Sequence, residues 1–371
     1  MSCLRFCSDE TSVLSLLLYG YFGHRNFGDD LLVSLACRLC RDLGYQGKID
    51  LASDARGVGY LPRLVTGFDN IVPMTRRAHR LIWGRYDKVL FAGGGTVFDY
   101  RTSMSPAYRL RKRISDTVRF GFPRMIGTRY ASIGIGIGPF ATTEGKRVAL
   151  HRLKYHDWLS VRDHESFKHA AHVCKGQNSL SIDLSLLEAS RLRELAKEID
   201  RKPNAVGMLV RSFRFGDVGN RYLEAMRHAA QILENRGVDV HWLSFQPQYD
   251  HAALEMLPAG SQIWRWDPET MNFDDVYRKF ACFNTLVTAR MHGTYVGGML
   301  GVPTIGIELH PKIRFAAEEF SNTSVLPASS SGERIANACF DLNGKASRID
   351  LKRIAEQETR LRRQLSDWLS S

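Results

Sequence analysis

Short runs of β-branched and aliphatic residues, each closed by glycine or a polar turn, recur along the chain with helical patterns between them. VLSLLLYG (13–20), KVLFAGGG (88–95), YASIGIGIG (130–138) and WLSVRD (158–163) lie in the first half. NAVGMLVRS (204–212), VDVHWLSF (238–245), FNTLVTAR (283–290) and VPTIGIEL (302–309) lie in the second. Helical spacing fills 29–43, 107–118, 164–174, 219–236 and 274–281. Near-continuous apolar strands alternating with helices predict an α/β protein whose parallel sheets are covered on both faces. The charged stretch EASRLRELAKEIDRKPN (188–204) interrupts the alternation, and Pro203 precedes a fresh strand. Two Rossmann-like domains facing across a cleft are therefore expected, over 1–190 and 200–325, with a C-terminal segment over 326–371. In that segment Leu351, Ile354, Leu361, Leu365 and Trp368 recur at helical spacing, which predicts an amphipathic helix packed on the body.

The cleft is where ligand chemistry is expected, and one stretch stands out there. TARMHGTYVGGMLGVPTIGIELHPKIR (288–314) reads as strand, short helix, strand. If the two strands are parallel neighbours, their carboxyl ends share a rim about 5 Å apart. Arg290 and His292 leave the first end, His310 and Lys312 the second, so twenty residues collapse into one electropositive patch. His292 would also stand in a first helical turn, where free N–H groups favour an anion. Gly293, Gly297 and Gly298 weaken that helix, which suits close approach of backbone or ligand. A tightly packed helix with His292 as a satisfied core histidine is the plain alternative.

Three further turns point at the same cleft. GYFGHRNFGDDLL (20–32) is a strand-to-helix turn in which Asn26 or Asp29 can cap the helix. It is not a G-x-G-x-x-G fingerprint, so a dinucleotide is not expected. FAGGGTVFDY (91–100) places Gly94 and Gly95 at a strand end, where exposed N–H groups can hold a phosphate or carboxylate, or simply form a turn. LSVRDHES (159–166) ends a strand in Arg162, with Asp163 as a cap, and MLVRSF (208–213) repeats the arrangement with Arg211. Arginine at such a rim suits bidentate recognition of carboxylate or phosphate, with a surface ion pair as the alternative.

Composition narrows the classes. The chain has 371 residues, of which 44% are hydrophobic and 24% charged, as in ordinary globular proteins. Lys and Arg exceed Asp and Glu by 12, favouring anionic partners. A nucleic-acid partner is not expected, because no recognised motif or base-stacking platform accompanies the charge. No window reaches the length of a membrane span, and the apolar N-terminal run reads as a first strand, so a cytoplasmic protein is expected. The seven cysteines are scattered, and the CRLC pair (Cys37, Cys40) reads as two core residues one helical turn apart. Neither disulfide nor metal site is expected. YRLRKRISDTVRFGFPR (108–124) gathers six basic residues beside Tyr108, Phe120 and Phe122, which suits either a solvated helix face or peripheral contact with an anionic membrane.

Taken in order, NFGDD (26–30), AGGG (92–95), GIGIGPF (134–140), SVRDHES (160–166), ARMHGTYVGGMLGVP (289–303) and HPK (310–312) resemble the polysaccharide pyruvyl transferase family. The resemblance implies a glycosyltransferase-B-like fold and transfer of pyruvate from phosphoenolpyruvate, as a ketal, to a sugar of a polysaccharide or its lipid-linked precursor. It implies His292, Lys312 and Arg162 at the donor site, with no cofactor beyond phosphoenolpyruvate as donor substrate. Arg290 and Arg211 would add positive charge. Asn26, Asp29, Gly94, Gly95 and Gly293 would complete the substrate contacts, the first four on the acceptor side. An unperturbed histidine, with a pKa of about 6.5, could then serve as acid or base near neutral pH. The alternative is a nucleotide-sugar glycosyltransferase of the same architecture. Many retaining enzymes of that type are similar in carrying two glutamates eight positions apart; here Glu308 is followed at that spacing by Ala316.

Overall fold

A computed structural model describes residues 14–75, 82–174, 176–213 and 217–371. In chain order the first half forms strands β1 (Ser15–Tyr19), β2 (Lys48–Ser53), β3 (Asn70–Pro73), β4 (Lys88–Ala92), β5 (Val97–Asp99), β6 (Arg129–Ile135), β7 (Ile137–Phe140), β8 (Trp158–Val161) and β9 (Gln177–Leu180). The second half forms β10 (Ala205–Val210), β11 (Asp239–Ser244), β12 (Ile263–Arg265), β13 (Thr285–Thr288), β14 (Thr304–Glu308), β15 (Phe320–Ser321), β16 (Thr323–Pro327) and β17 (Arg348–Ile349).

Two large sheets result, ordered β3-β2-β1-β4-β6-β8-β9 and β12-β11-β10-β13-β14-β16, and every pairing within them is parallel. Central strands such as β4 and β10 are buried along their whole length because helices cover both faces. Each sheet reverses its strand order once, between β1 and β4 and between β10 and β13. Crevices at such reversals, beyond the strands' carboxyl ends, are where open α/β sheets bind ligands.

An apolar seam joins the halves below the cleft. Phe27, at the start of helix Phe27–Asp42, lies 4.4 Å from Phe245 and 5.4 Å from Trp266, ring centre to ring centre. Its N–H donates to the Phe245 carbonyl at 3.1 Å. Beside it Asp30 accepts from Tyr60 Oη at 2.7 Å and, across the seam, from Trp266 Nε1 at 3.2 Å.

The sequence boundary at 325/326 falls inside β16, which pairs with β14. The run TSVLP ends in proline and serine-rich turns, so its alternating pattern is too short to mark a strand on its own. Helix Gly332–Leu342 also belongs to the second half, packing on helix Val218–Glu234. Helix Leu351–Ser370 then bridges the halves: Arg353 pairs with Glu319 of the second, while Lys88 of the first donates to the Leu369 carbonyl beneath Trp368. Cys37 and Cys40 are buried in core, and burial lifts the Cys40 thiol to about 12; Cys3 and Cys7 lie outside the described residues. Among the described residues no helix is long and apolar enough to cross a membrane.

Candidate active site

The cleft between the sheets encloses about 1090 Å³ and is lined by Asn26, Asp29, Gly94, Gly95, Arg162, Arg211, Arg290, His292, His310 and Lys312. All except Asn26 and Asp29 sit just past the carboxyl ends of strands: Gly94 and Gly95 after β4, Arg162 after β8, Arg211 after β10, Arg290 and His292 after β13, His310 and Lys312 after β14. Strands β13 and β14 are parallel neighbours, so the two ends of the 288–314 stretch do converge.

The cations differ in what already holds them. Arg162, almost fully buried, donates from Nη1 to Asp183 Oδ2 at 2.9 Å. Arg290 is gripped by both carboxylate oxygens of buried Asp250, at 2.5 and 2.6 Å. That pairing corrects the expectation of Arg290 as spare positive charge, since Asp250 neutralises it. Arg211 and Lys312 have no carboxylate ion-pair partner among the described residues. Burial and the neighbouring Arg290 weaken Arg211's hold on its proton, and burial with Arg211 and Arg162 nearby draws Lys312 well below the ordinary lysine range. Two desolvated cations that repel each other favour an anion between them.

His292 is the second residue of helix Met291–Met299, and its Nε2 is buried without a hydrogen-bond partner, 3.9 Å from Asp183 Oδ1. Burial lowers its pKa to about 4; Asp183 opposes the shift, while Arg162, Lys312 and Arg290 add to it. The expectation of an unperturbed imidazole is therefore corrected. At neutral pH the ring is uncharged, because a charged one would be desolvated among three cations. His310 is likewise lowered, to about 2, and its Nδ1 accepts the Lys312 backbone N–H at 3.1 Å.

Asn26, Asp29 and the loop after β4 form a linked set. Asn26 caps helix Phe27–Asp42 by accepting the Gly28 N–H at 3.3 Å, and its amide donates to Asp29 at 2.5 Å. Burial lifts the Asp29 carboxyl to about 6, against the pull of Lys312, Arg290 and Arg162. Gly93 and Gly94 adopt left-handed backbone conformations, with φ of 64° and 74°, that turn the loop after β4 towards Asp29.

Gly293 does not line the cleft. A Cβ there would lie 2.3 Å from Thr288 Oγ1 and 2.5 Å from Leu209, so its smallness serves helix-on-sheet packing; Gly297 and Gly298 likewise face Thr304 and Phe320. The glycines that admit functional groups are others. A Cβ on Gly28 would fall 1.9 Å from His292 Nδ1, and one on Gly136 would fall 2.5 Å from Arg162 Nη2. Sequence reasoning missed that role for both, and missed Asp183. The last is visible only as an acid two residues before Ser185 in SIDLSLL, whose N–H and hydroxyl it accepts at 3.0 and 2.7 Å.

A family model for polysaccharide pyruvyl transferase matches residues 26–311. No curated protein matches the chain in sequence. In three dimensions it is similar to a UDP-N-acetylglucosamine 2-epimerase from Rickettsia bellii, with a TM-score of 0.62 at 12% identity over 96% of this chain and 98% of that one. It is similar also to the UDP-GlcNAc-bound 2-epimerase of Neisseria meningitidis (TM-score 0.57, 9% identity, 89% and 90% covered). A glycosyltransferase from Rickettsia africae gives 0.52 at 13% identity, covering 95% and 93%. At such identities the likeness establishes the fold, which is glycosyltransferase-B-like.

Proposed function

We propose that this chain, which belongs to the polysaccharide pyruvyl transferase family, moves the three-carbon unit of phosphoenolpyruvate onto two hydroxyls of a saccharide. The observation that supports the reading is the pair of cations with no carboxylate ion pair among the described residues, Arg211 and Lys312, beside an uncharged imidazole whose Nε2 accepts no hydrogen bond there. Phosphoenolpyruvate crowds a carboxylate and a phosphate onto three carbons, so its binding asks for cations not already neutralised. Arg162 donates one N–H to Asp183 and stands 3.8 Å from Asp163 through Nε, which leaves its other N–H groups for the same anion.

The chemistry then balances as follows. The methylene carbon gains a proton and the first acceptor hydroxyl adds to C2, losing its own proton. The bond from C2 to the phosphate oxygen breaks, and phosphate leaves with the bonding pair. The second hydroxyl closes the ketal at C2 and gives up the second proton, which phosphate takes. Neutral His292 is suited to accept a hydroxyl proton, and the bound trianion would raise its pKa so that it can return one. Lys312 and Arg211 would stabilise the departing phosphate in a desolvated site. The acceptor would lie against Asn26, Asp29 and the Gly94–Gly95 loop. Because phosphoenolpyruvate is a cytoplasmic metabolite, the reading implies a cytoplasmic reaction, at the membrane's inner face if the acceptor is lipid-linked.

The test is incubation with phosphoenolpyruvate and candidate glycans, following phosphate and acceptor mass together. Expected are phosphate release and a mass gain of pyruvic acid less one water, both lost in His292→Ala. Release of a nucleotide from a nucleotide sugar, with phosphoenolpyruvate inert, would overturn the reading in favour of a glycosyltransferase.

A further inference from the structure

The basic stretch near residue 110 carries something its charge pattern did not disclose. Helix Pro106–Asp116 continues through a wider turn at Thr117–Gly121, where the Phe122 N–H reaches back to the Thr117 carbonyl, into Phe122–Met125. One side is clamped to the body. Phe120 is buried against Trp83 and Tyr130 at 5.0 and 5.8 Å, and Tyr155 Oη donates to Thr117 Oγ1 at 3.0 Å. The other side presents Leu110, Ile114, Val118, Phe122, Met125 and Ile126, each at least 55% exposed. These are six of the twelve large exposed hydrophobic residues among the described residues, gathered in one seventeen-residue stretch. Spacing of four drifts around a 3.6-residue helix, and the five-residue turn subtracts part of that drift. Phe122 thereby stays on the face of Leu110. Scattered exposed leucines are ordinary, but a contiguous stripe marks an interaction surface.

Its border says what it meets. On the helix Arg111 and Arg113 stand about a quarter turn to either side of the stripe, and both are exposed. Arg124, at the far end, is paired with Asp157 of the body at 2.5 Å. The only acid from 101 to 128 is Asp116, which is buried and neutralised by Lys112. An apolar face rimmed by long cationic side chains, with no exposed acid, fits lipid acyl chains below and headgroup phosphates around. The same segment packs beside helix Thr143–Leu150 and the turn that follows it, whose Arg152 lines the cleft.

We propose that this face seats the protein on an anionic phospholipid bilayer, with the six apolar side chains in the headgroup region and Arg111 and Arg113 at lipid phosphates. A lipid-linked acceptor would then approach the cleft from the side whose wall includes Arg152. That last point rests on the proposed transfer to a lipid-linked acceptor; the seating does not.

Full-length protein would be sedimented with vesicles of phosphatidylcholine alone and of phosphatidylcholine mixed with phosphatidylglycerol. Preferential binding to the mixed vesicles, by about tenfold and weakened by salt, is expected. Ile114→Asp with Phe122→Asp should reduce that binding about tenfold or more, and Arg111→Glu with Arg113→Glu should abolish the preference for anionic lipid. Unchanged circular dichroism shows that the variants fold, and retained turnover of a soluble acceptor separates seating from catalysis. Persistent vesicle binding without phosphoenolpyruvate turnover would leave the seating intact and sink the transferase reading instead. Failure of the native protein to bind either vesicle, or variants that bind as it does, overturns the proposal. So does a dimer in sedimentation equilibrium that the Ile114/Phe122 variant dissociates, with no vesicle binding, because the stripe would then join two copies.

Discussion

Arg211 and Arg290 occupy equivalent places in sequence, each just beyond a buried strand, and their surroundings give them opposite work. Removing Arg290 would strand the Asp250 carboxylate in the interior. Arg290→Ala should therefore destabilise the protein by about 3–5 kcal/mol, read by denaturant or thermal unfolding. Arg211→Ala removes a cation that no carboxylate of the described residues pairs with, so stability should hold while KM for the proposed donor, phosphoenolpyruvate, rises about ten- to a hundredfold. If the two variants exchange these phenotypes, the division of labour is wrong. His292 carries a second prediction at this scale. Burial disfavours its charged form, so protons add only as pH falls towards about 4. Its ring resonances in the free protein should show no titration between pH 8 and about 5, and on the proposed function the midpoint should move upward on addition of phosphoenolpyruvate. A midpoint near 6.5 in the free protein would mean that the ring is not desolvated as described.

Among elements, the decisive contact is between two helix starts. Helix Phe27–Asp42 from the first half brings Gly28 against the imidazole at the start of Met291–Met299 from the second. Gly28→Ala puts a methyl group where Nδ1 lies. The helix should tolerate it, since alanine is the better helix former. The imidazole must move instead, and phosphate release is expected to fall at least about a hundredfold with little change in melting temperature. Near-normal turnover in that variant would remove His292 from the chemistry as placed here.

At the scale of the molecule, the halves are tied by the Phe27 seam and by a helix that crosses back. Helix Leu351–Ser370 buries Leu361, Leu365 and Trp368 and receives Lys88 from the first sheet at its end. Truncation after residue 350 uncovers the apolar surface beneath those three side chains and frees the buried Lys88 of its acceptor. Loss of a single cooperative unfolding transition in calorimetry, with the two halves melting apart, is the expected result. A truncated chain that melts as the full one does would show that the remaining contacts between the halves suffice to couple them.

Much of this was legible in the residues. Buried parallel strands must be apolar along their length, so β1, β4, β6, β10, β13 and β14 announced themselves, and their order fixed which side chains stand at strand ends. Asn26 and Asp163 were readable as caps because a cap is a local bond, and each accepts the N–H its position implies. The strands towards the sheet edges, β2, β3, β9, β12 and β16, were missed because they are short or carry polar residues; β2 buries Asp50, satisfied by Tyr86 and Asn70. Which cations are spare was equally beyond reach, since Asp250 lies 40 residues from Arg290 and Asp183 lies 21 from Arg162. The sequence by itself determined the periodicities, the caps and the strand-end arginines, all set by near neighbours along the chain. Charge pairing, the depth of His292 and the outward turn of the 110–126 stripe were decided only by tertiary structure, because each depends on groups that meet only once the sheets have closed.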